Sequence, residues 1–174
     1  MKICIDAGHG GRDSGAVGND PFQLMEKEFN LEQAILVEAE LENLGHWVVM
    51  TRRTDRTAGL ASRSNFANRL GAELFISIHA NAAGTSRVKG IEVFHHPGSA
   101  QGAKWAARVQ AGLIDAFPNH RDRGVKEANF QVLRETAMPA VLVECEFLTN
   151  PTQLKFLAND KTRRKIAKAI AGAI

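Results

Sequence analysis

Cysteine is scarce in this sequence, which excludes a fold held together by disulfides. The two cysteines, Cys4 and Cys145, both lie in short apolar runs typical of buried strands, so we expect free thiols inside the protein. Long apolar runs are also lacking, and none approaches the length of a membrane span. The first residues do not have the pattern of a signal peptide, because residue 3 already belongs to a strand of the core. We therefore expect no membrane insertion and no disulfide-rich scaffold.

Charge of either sign is not in large excess. The chain has 22 Lys and Arg against 19 Asp and Glu, which gives a net charge of +3. This excess is too small to predict nucleic-acid binding, and no strip of aromatic and basic residues supports it. It is compatible with a polyanionic surface such as a bacterial wall. With 174 residues, 44% of them hydrophobic, the chain suits one domain with a substantial core, and we expect a monomer with a single domain over residues 1–174.

Alternating strand and helix patterns predict an α/β fold. The expected strands cover residues 3–5, 46–51, 74–79, 90–96, 130–133 and 140–144, and the expected helices cover residues 27–44, 60–70, 100–117 and 161–173. The first three strands are joined through helices, so they should run parallel with right-handed crossovers. About ten residues separate the third strand from the fourth, too few for a parallel crossover, so the fourth strand should be antiparallel to the third. A tight connector at residues 135–139 reverses the chain again. We predict a single three-layer domain with a mixed, mostly parallel sheet of about six strands and helices on both faces.

Two reversals bring the carboxyl ends of the first, third and sixth strands to the same edge of the sheet. His9 follows the first strand, in a glycine-rich turn, while His79 and Glu144 end the other two. Glu26, in the loop before the first helix, opens onto the same edge, where ligand sites of open α/β sheets gather. Two histidines and a carboxylate that leave one position open form a catalytic zinc set, and a spare glutamate nearby suits a general base.

Simpler interpretations of these residues stay open at this point. Glu26 suits the first turn of a helix, where a carboxylate interacts well with the helix dipole. His79 suits a hydrogen-bonded core histidine, whereas a buried Glu144 without a partner would be costly. His95 and His96 form a rival metal pair, but the antiparallel fourth strand puts them at the opposite edge, so we expect them at the surface or rim.

Several short motifs together carry a resemblance to a known family. They are Asp6-Ala7-Gly8-His9-Gly10-Gly11, Glu26-Lys27, Thr51-Arg52, Ser77-Ile78-His79-Ala80-Asn81, Arg123-Gly124-Val125-Lys126, Pro139-Ala140-Val141-Leu142-Val143-Glu144 and Phe147-Leu148-Thr149-Asn150. In this order, over nearly the whole chain, they resemble the zinc-dependent N-acetylmuramoyl-L-alanine amidases of the type 3 family. The resemblance implies hydrolysis of the amide between the lactyl group of muramic acid and the L-alanine of the stem peptide. It also implies that His9, Glu26 and His79 are zinc ligands and that Glu144 is the catalytic glutamate.

The chain departs from the family pattern at two positions. Ala7 stands where the family often has proline, which should change only the rigidity of the turn. Glu146 stands where glycine is usual, and it leaves two candidate bases close to the site. Because alternate residues of an extended strand share a face, Glu144 and Glu146 can point the same way while Cys145 points into the fold, but we expect Glu146, at the usual glycine position, to swing towards the loop.

We expect no leader, and this together with a compact catalytic domain resembles a phage endolysin or its catalytic domain, whereas a sporulation or autolysin amidase would more often show a leader or extra domains. Such a protein would be made in the host cytoplasm, released to the wall and act on peptidoglycan, and a wall-binding domain could accompany it outside this chain. Two other functions stay open, namely a zinc peptidase that acts on stem peptides of the wall and a wall-binding module without catalysis.

Overall fold

One six-stranded sheet carries the elements that position the candidate site. The structure is a computed structural model that describes all 174 residues. The elements in chain order are β1 (Lys2–Ala7), β2 (Val17–Gly18), β3 (Leu24–Met25), α1 (Glu26–Asn43), β4 (Trp47–Met50), α2 (Leu60–Arg69), β5 (Leu74–Asn81), β6 (Ile91–His95), α3 (Ala100–Ala116), β7 (Asp122–Glu127), α4 (Gln131–Arg134), β8 (Ala140–Phe147), α5 (Pro151–Ala158) and α6 (Asp160–Gly172).

The order of strands in the main sheet is β4-β1-β5-β8-β6-β7. The neighbours β4 and β1, β1 and β5, and β5 and β8 are parallel, as are β6 and β7. Only β6 and β8 pair antiparallel, while β2 and β3 form a separate two-stranded hairpin. The mixed, mostly parallel sheet of six strands predicted from the connector lengths is therefore confirmed.

Helices cover both faces of this sheet, as the three-layer prediction requires. Helices α1, α3, α5 and α6 share one face with the larger core of 30 buried apolar residues, which includes Ile76 and Val143. Helices α2 and α4 cover the other face over a smaller core of eight, which includes Phe75 and Leu142. Because side chains alternate along a strand, Glu144 falls on the α2 and α4 face, where the candidate site lies.

The strand predicted at residues 130–133 is wrong. Residues 131–134 form the short helix α4, and the missing strand is β7, at 122–127, in a segment where neither a strand nor a helix was predicted. Val132 and Leu133 are buried in the smaller core, and a short apolar pair of this kind fits a helix turn as well as a strand. As an edge strand, β7 is largely exposed and rich in charge, so its sequence lacks an apolar pattern. It pairs parallel with β6.

The four predicted helices are confirmed to within one residue at each end, but α5 was missed. The sequence does contain a start signal for α5, an asparagine followed by a proline. In the structure Pro151 lies in the first turn, and the side chain of Asn150 accepts hydrogen bonds from the backbone N–H groups of Thr152 and Gln153. None of the six helices combines the length and apolar character needed to cross a membrane.

Candidate active site

The turn after β1 holds His9 in a conformation that few side chains adopt. Its φ is 60°, and it lies among glycines of which Gly10 and Gly11 also have positive φ. Gly8 has no room for a side chain, because a Cβ there would overlap the ring of His79. On its other side, His9 Nδ1 lies 2.8 Å from Asp13 Oδ2, which orients the imidazole and leaves Nε2 facing inward.

Glu26 begins α1 and is buried between the two histidines. Its Oε1 lies 2.8 Å from His79 Nδ1, and its Oε2 lies 3.1 Å from His9 Nε2 and accepts a hydrogen bond from the N–H of Ala16. Burial works to raise the pKa of Glu26, but the hydrogen bonds and charges of His79 and His9 outweigh it and hold this pKa well below its usual range. Glu26 therefore occupies the first turn of a helix, as the simpler interpretation requires, and also joins both histidines.

His9, Glu26 and His79 form the one group of three potential metal-ligating side chains in the protein. One ligand atom from each lies within 4.8 Å of the others. His79 and Glu144 are direct partners on the parallel strands β5 and β8, so the four residues predicted from the sequence meet at one place. The structure thus brings together residues that are up to 135 positions apart in the chain, counted from His9 to Glu144.

Glu144 has an unusual environment for a carboxylate. Its Oε2 is buried and has no hydrogen-bond partner, an exception that calls for a chemical reason in a folded protein. Burial, with a smaller contribution from the negative charges of Glu26 and Glu92, raises the pKa of Glu144 well above its ordinary value. Glu144 therefore combines a free acceptor atom with an affinity for a proton.

A cavity of ≈ 480 Å³ opens beside these residues. Its walls come from the end of β1, from β5 and β8, and from the segments that begin α2 and α4. His9, His79 and Glu144 lie on its polar side, and Leu60 and Phe130 lie on its apolar side. This volume and mixture of polar and apolar walls are typical of a site for a small ligand or for a section of a polymer.

Asp6 and Arg63, which are not among the predicted site residues, form a buried ion pair beneath the site. Arg63 Nη1 lies 2.7 Å from Asp6 Oδ1, and the hydroxyls of Thr51 and Ser77 also donate to this carboxylate. Burial works to raise the pKa of Asp6, but the charge of Arg63 and these hydrogen bonds outweigh it and lower the pKa. Arg63 Nη2 donates to the carbonyl of His9 at 2.6 Å, so the pair connects the sheet to the turn that carries His9.

Arg52 is a second buried clamp on the same turn. It donates hydrogen bonds of 2.8–2.9 Å to the carbonyls of Ala7, Gly8 and Lys27, and it is only 1% exposed.

The sequence contained one signal for the Asp6–Arg63 ion pair. Arg63 lies four residues before Ala67, on the buried face of α2, where a charged side chain requires a partner. The identity of that partner is a tertiary property.

We expect Asp6→Asn to destabilise the protein and to reduce its sensitivity to acid. Removing one partner of a buried ion pair costs about 3–5 kcal/mol, because Arg63 stays buried without its counterion. The pKa of Asp6 in the folded protein is below its unfolded value of about 3.9, so ionised Asp6 stabilises the fold above about pH 4. This contribution is lost as the pH falls through the folded pKa. Urea unfolding at pH 7 and at decreasing pH measures both effects.

In that experiment the difference in unfolding free energy between Asp6→Asn and the wild type should be largest at neutral pH and shrink in acid. Asp115→Asn is the matched control, since Asp115 is exposed and makes no ion pair, and it should follow the wild type. Equal stability of Asp6→Asn and the wild type at pH 7 would contradict a structural role for the pair.

His95 and His96 do not join the site. His95 pairs with Val141, at the end of β6 that lies away from Glu144, so the predicted opposite edge is confirmed. The expected surface position is wrong for His95, which is 6% exposed. It shares a strand face with Val93 and is covered by α3, the helix that packs on β6.

Simple alternation would give Glu146 the face of Glu144, but the side chain turns away from it towards the loop residue Gly90, as expected. His79 and Asn81 are two residues apart on β5, whereas their partners on β8, Glu144 and Phe147, are three residues apart. The extra residue forms a β-bulge, which breaks the alternation of side chains along β8. Glu146 is fully buried, accepts a hydrogen bond of 2.7 Å from the N–H of Gly90, and lies 2.9 Å from His120 Nδ1. Cys145 lies in the larger core, as predicted.

Comparison with known proteins identifies, over nearly the whole chain, the family that the sequence motifs resemble. Residues 3–174 match the family model described as N-acetylmuramoyl-L-alanine amidase. The chain is 38% identical to the N-acetylmuramoyl-L-alanine amidase CwlM of Bacillus licheniformis, with 100% of this chain and 67% of that protein covered. It is 41% identical to the amidase LytC of Bacillus subtilis over 97% of this chain, but it spans only 34% of the length of LytC. The crystal structure of an N-acetylmuramoyl-L-alanine amidase from Clostridium difficile 630 superposes with a TM-score of 0.94 at 35% identity, over 99% of this chain and 93% of the other.

Proposed function

This chain belongs to the N-acetylmuramoyl-L-alanine amidase family, and from that premise we propose that residues 1–174 form a zinc-dependent catalytic domain that hydrolyses peptidoglycan. The bond that it cleaves is the amide between the lactyl group of N-acetylmuramic acid and the L-alanine of the stem peptide. One observation carries the proposal. Two histidines and a glutamate offer ligand atoms within 4.8 Å of one another, and a buried carboxylate oxygen without a partner, Glu144 Oε2, borders the same cavity.

The residues present fit a zinc ion. Imidazole and carboxylate are ligands that zinc accepts, and three protein ligands leave one position for water or substrate, as in catalytic sites. Asp13 on the far nitrogen of His9 is the kind of outer carboxylate that orients a ligating histidine. Glu26 is also held by the N–H groups of Ala16 and Ala80, so its two oxygens stay directed at the histidines.

Glu144 supplies the proton transfers that amide hydrolysis requires. The chemistry that zinc contributes when bound is polarisation of the scissile carbonyl and a water whose pKa is lowered from about 15.7 to roughly 7. Glu144 accepts a proton from the attacking water at Oε2, the oxygen that has no other partner, and returns it to the leaving amine of L-alanine. Burial raises the pKa of Glu144, which increases its affinity for the proton that this role requires it to accept.

The rigid parts of the fold keep these groups in position. Arg52 and Arg63 fix the carbonyls of the turn that carries His9, and Asp6 fixes Arg63. His79 and Glu144 lie on the paired strands β5 and β8, which restrict their relative movement. A catalytic group held on strands rather than on loops stays in the geometry that the reaction requires.

We expect digestion of purified peptidoglycan to expose new L-alanine amino termini and no new reducing sugars. Mass spectrometry of the soluble fragments, with quantitation of free amines, measures both products. Digestion with Glu144→Gln under the same conditions gives the background.

The products also separate the other candidate functions. A zinc peptidase would release fragments whose new ends lack muramic acid at the cut, and a wall-binding module would bind sacculi without releasing amines. New reducing ends from homogeneous protein would indicate a glycosidase and contradict the proposal.

The place of action that we propose is the bacterial wall. A phage lysin made in the host cytoplasm, with a wall-binding domain outside this chain, stays a prediction. The monomeric state and the absence of nucleic-acid binding also stay predictions.

A further inference from the structure

A second charged cluster lies next to Glu144 on the same face of the sheet, across β8 from His79. Glu92 on β6 is the direct antiparallel partner of Glu144 on β8, so the two side chains share a face with their Cβ atoms about 5 Å apart. Glu92 is 3% exposed and accepts hydrogen bonds from Asn81 Nδ2 at 2.6 Å and from Arg123 Nε at 2.8 Å. Lys126 Nζ also donates to this carboxylate. Two cations and one anion leave the cluster with a net positive charge.

Arg123 in this cluster has donors without protein partners. Its only side-chain hydrogen bond is the one from Nε to Glu92, so both Nη atoms are unused. The guanidinium lies 5.0 Å from the centre of the Phe147 ring, and the side chain is 22% exposed. An arginine that is held at Nε and on one face, with its Nη edge free, is arranged for bidentate binding of a carboxylate.

The chemistry of the proposed substrate allows carboxylates on only one side of the scissile bond. The lactyl carboxyl of muramic acid is itself part of the amide, and the sugar otherwise has hydroxyl and acetamido groups. Free carboxylates therefore belong to the stem peptide. The nearest one is the α-carboxyl of the second residue, a glutamate linked through its side chain, which is free in some walls and amidated in others.

The distances are compatible with this group reaching Arg123. Two extended residues span about 7 Å. Neighbouring strands are about 4.8 Å apart, and two such steps lead from β8, which carries Glu144, through β6 to β7, which carries Arg123. The cavity of ≈ 480 Å³ lies on the opposite side of Glu144, over β1, β5 and β8.

We propose that Arg123 binds the α-carboxylate of the second stem residue, so that the peptide extends over β6 and β7 and the muramoyl group occupies the cavity. This inference rests on the proposed amidase function and specifies the direction in which the substrate lies across the sheet. Arg123 is thus a specificity-determining residue. Glu92 holds Arg123 at Nε, and Lys126, which donates to the same carboxylate, adds positive charge beside it.

The test compares two soluble muramoyl tripeptides that differ only at the α-carboxyl of the second residue, free in one and amidated in the other. The wild type should cleave the free carboxylate with a kcat/KM about 10- to 100-fold higher, the range expected for a charged hydrogen-bonded pair. Arg123→Gln should lose this preference because only cleavage of the carboxylate substrate falls. Arg123→Lys, which keeps the charge beside Glu92 but lacks the planar fork, should lose most of it.

Arg164→Gln is the matched control, since Arg164 is exposed on α6, on the other face of the sheet, and makes no ion pair. It should keep the wild-type preference. If Arg123→Gln lowers the rates with both substrates equally, its effect is purely structural and the inference is overturned. A wild type that shows no preference, or that favours the amide, overturns the inference as well. None of these results affects the amidase proposal. A wild type that releases L-alanine amines from neither tripeptide would instead overturn the amidase proposal and this inference with it.

Discussion

Glu144→Gln is expected to lower the rate of wall hydrolysis by about 10²- to 10⁴-fold, the usual contribution of a general acid–base group. The amide has the shape of the carboxylate but cannot accept the proton of the attacking water. The fold should be retained, because Glu144 Oε2 makes no hydrogen bond that the substitution could break. The expected zinc content is that of the wild type, since Glu144 lies outside the proposed ligand group. Turbidity of a wall suspension and atomic absorption measure the two properties.

Glu146→Gln is the matched control, the same chemical change two residues further along β8. Glu146 is bonded to Gly90 and His120 away from the cavity, so we expect a loss of about tenfold or less in rate and a lower melting temperature. If Glu146→Gln abolishes lysis and Glu144→Gln does not, the two assignments must be exchanged.

Replacing either proposed histidine ligand, as in His9→Ala or His79→Ala, should remove stoichiometric zinc and with it nearly all activity. Each substitution removes one of only three protein ligands. Excess chelator should likewise abolish wild-type activity, and added zinc should restore it. Metal analysis after dialysis, followed by lysis assays with and without zinc, measures these effects.

The control for the ligand variants is the double variant His95→Ala, His96→Ala. Both residues lie at the other end of β6, so zinc should stay bound even though the loss of the buried His95 lowers stability. Loss of zinc from the double variant, or full wild-type activity in excess chelator with no bound metal, would contradict the proposed ligand set.

Connector lengths and local patterns in the sequence determined which residues meet. The apolar run of β1 followed by glycines predicts a strand that ends in a tight turn, because only glycine adopts positive φ freely. The short link after His79 requires an antiparallel strand, whatever the rest of the fold does. These local constraints bring His9 and His79 to one edge, but the reversal that places Glu144 there was predicted from a strand at residues 130–133 that the structure does not contain. Glu26 follows from its place at the start of α1.

Only the tertiary structure decided the environment of each group, since burial and charge pairing depend on residues far apart in the chain. The bulge in β8 turns Glu146 away from Glu144, although simple alternation predicts the same face for both. The partners of Asp6 come from three other elements or loops, and no local pattern names them. Residues 131–134 form a helix turn that packs Val132 and Leu133 into the smaller core, and the charged edge strand β7 pairs with β6. A sequence read locally predicts strands and turns well, but a bulge, a buried ion pair and an edge strand are determined by the neighbours that the fold supplies.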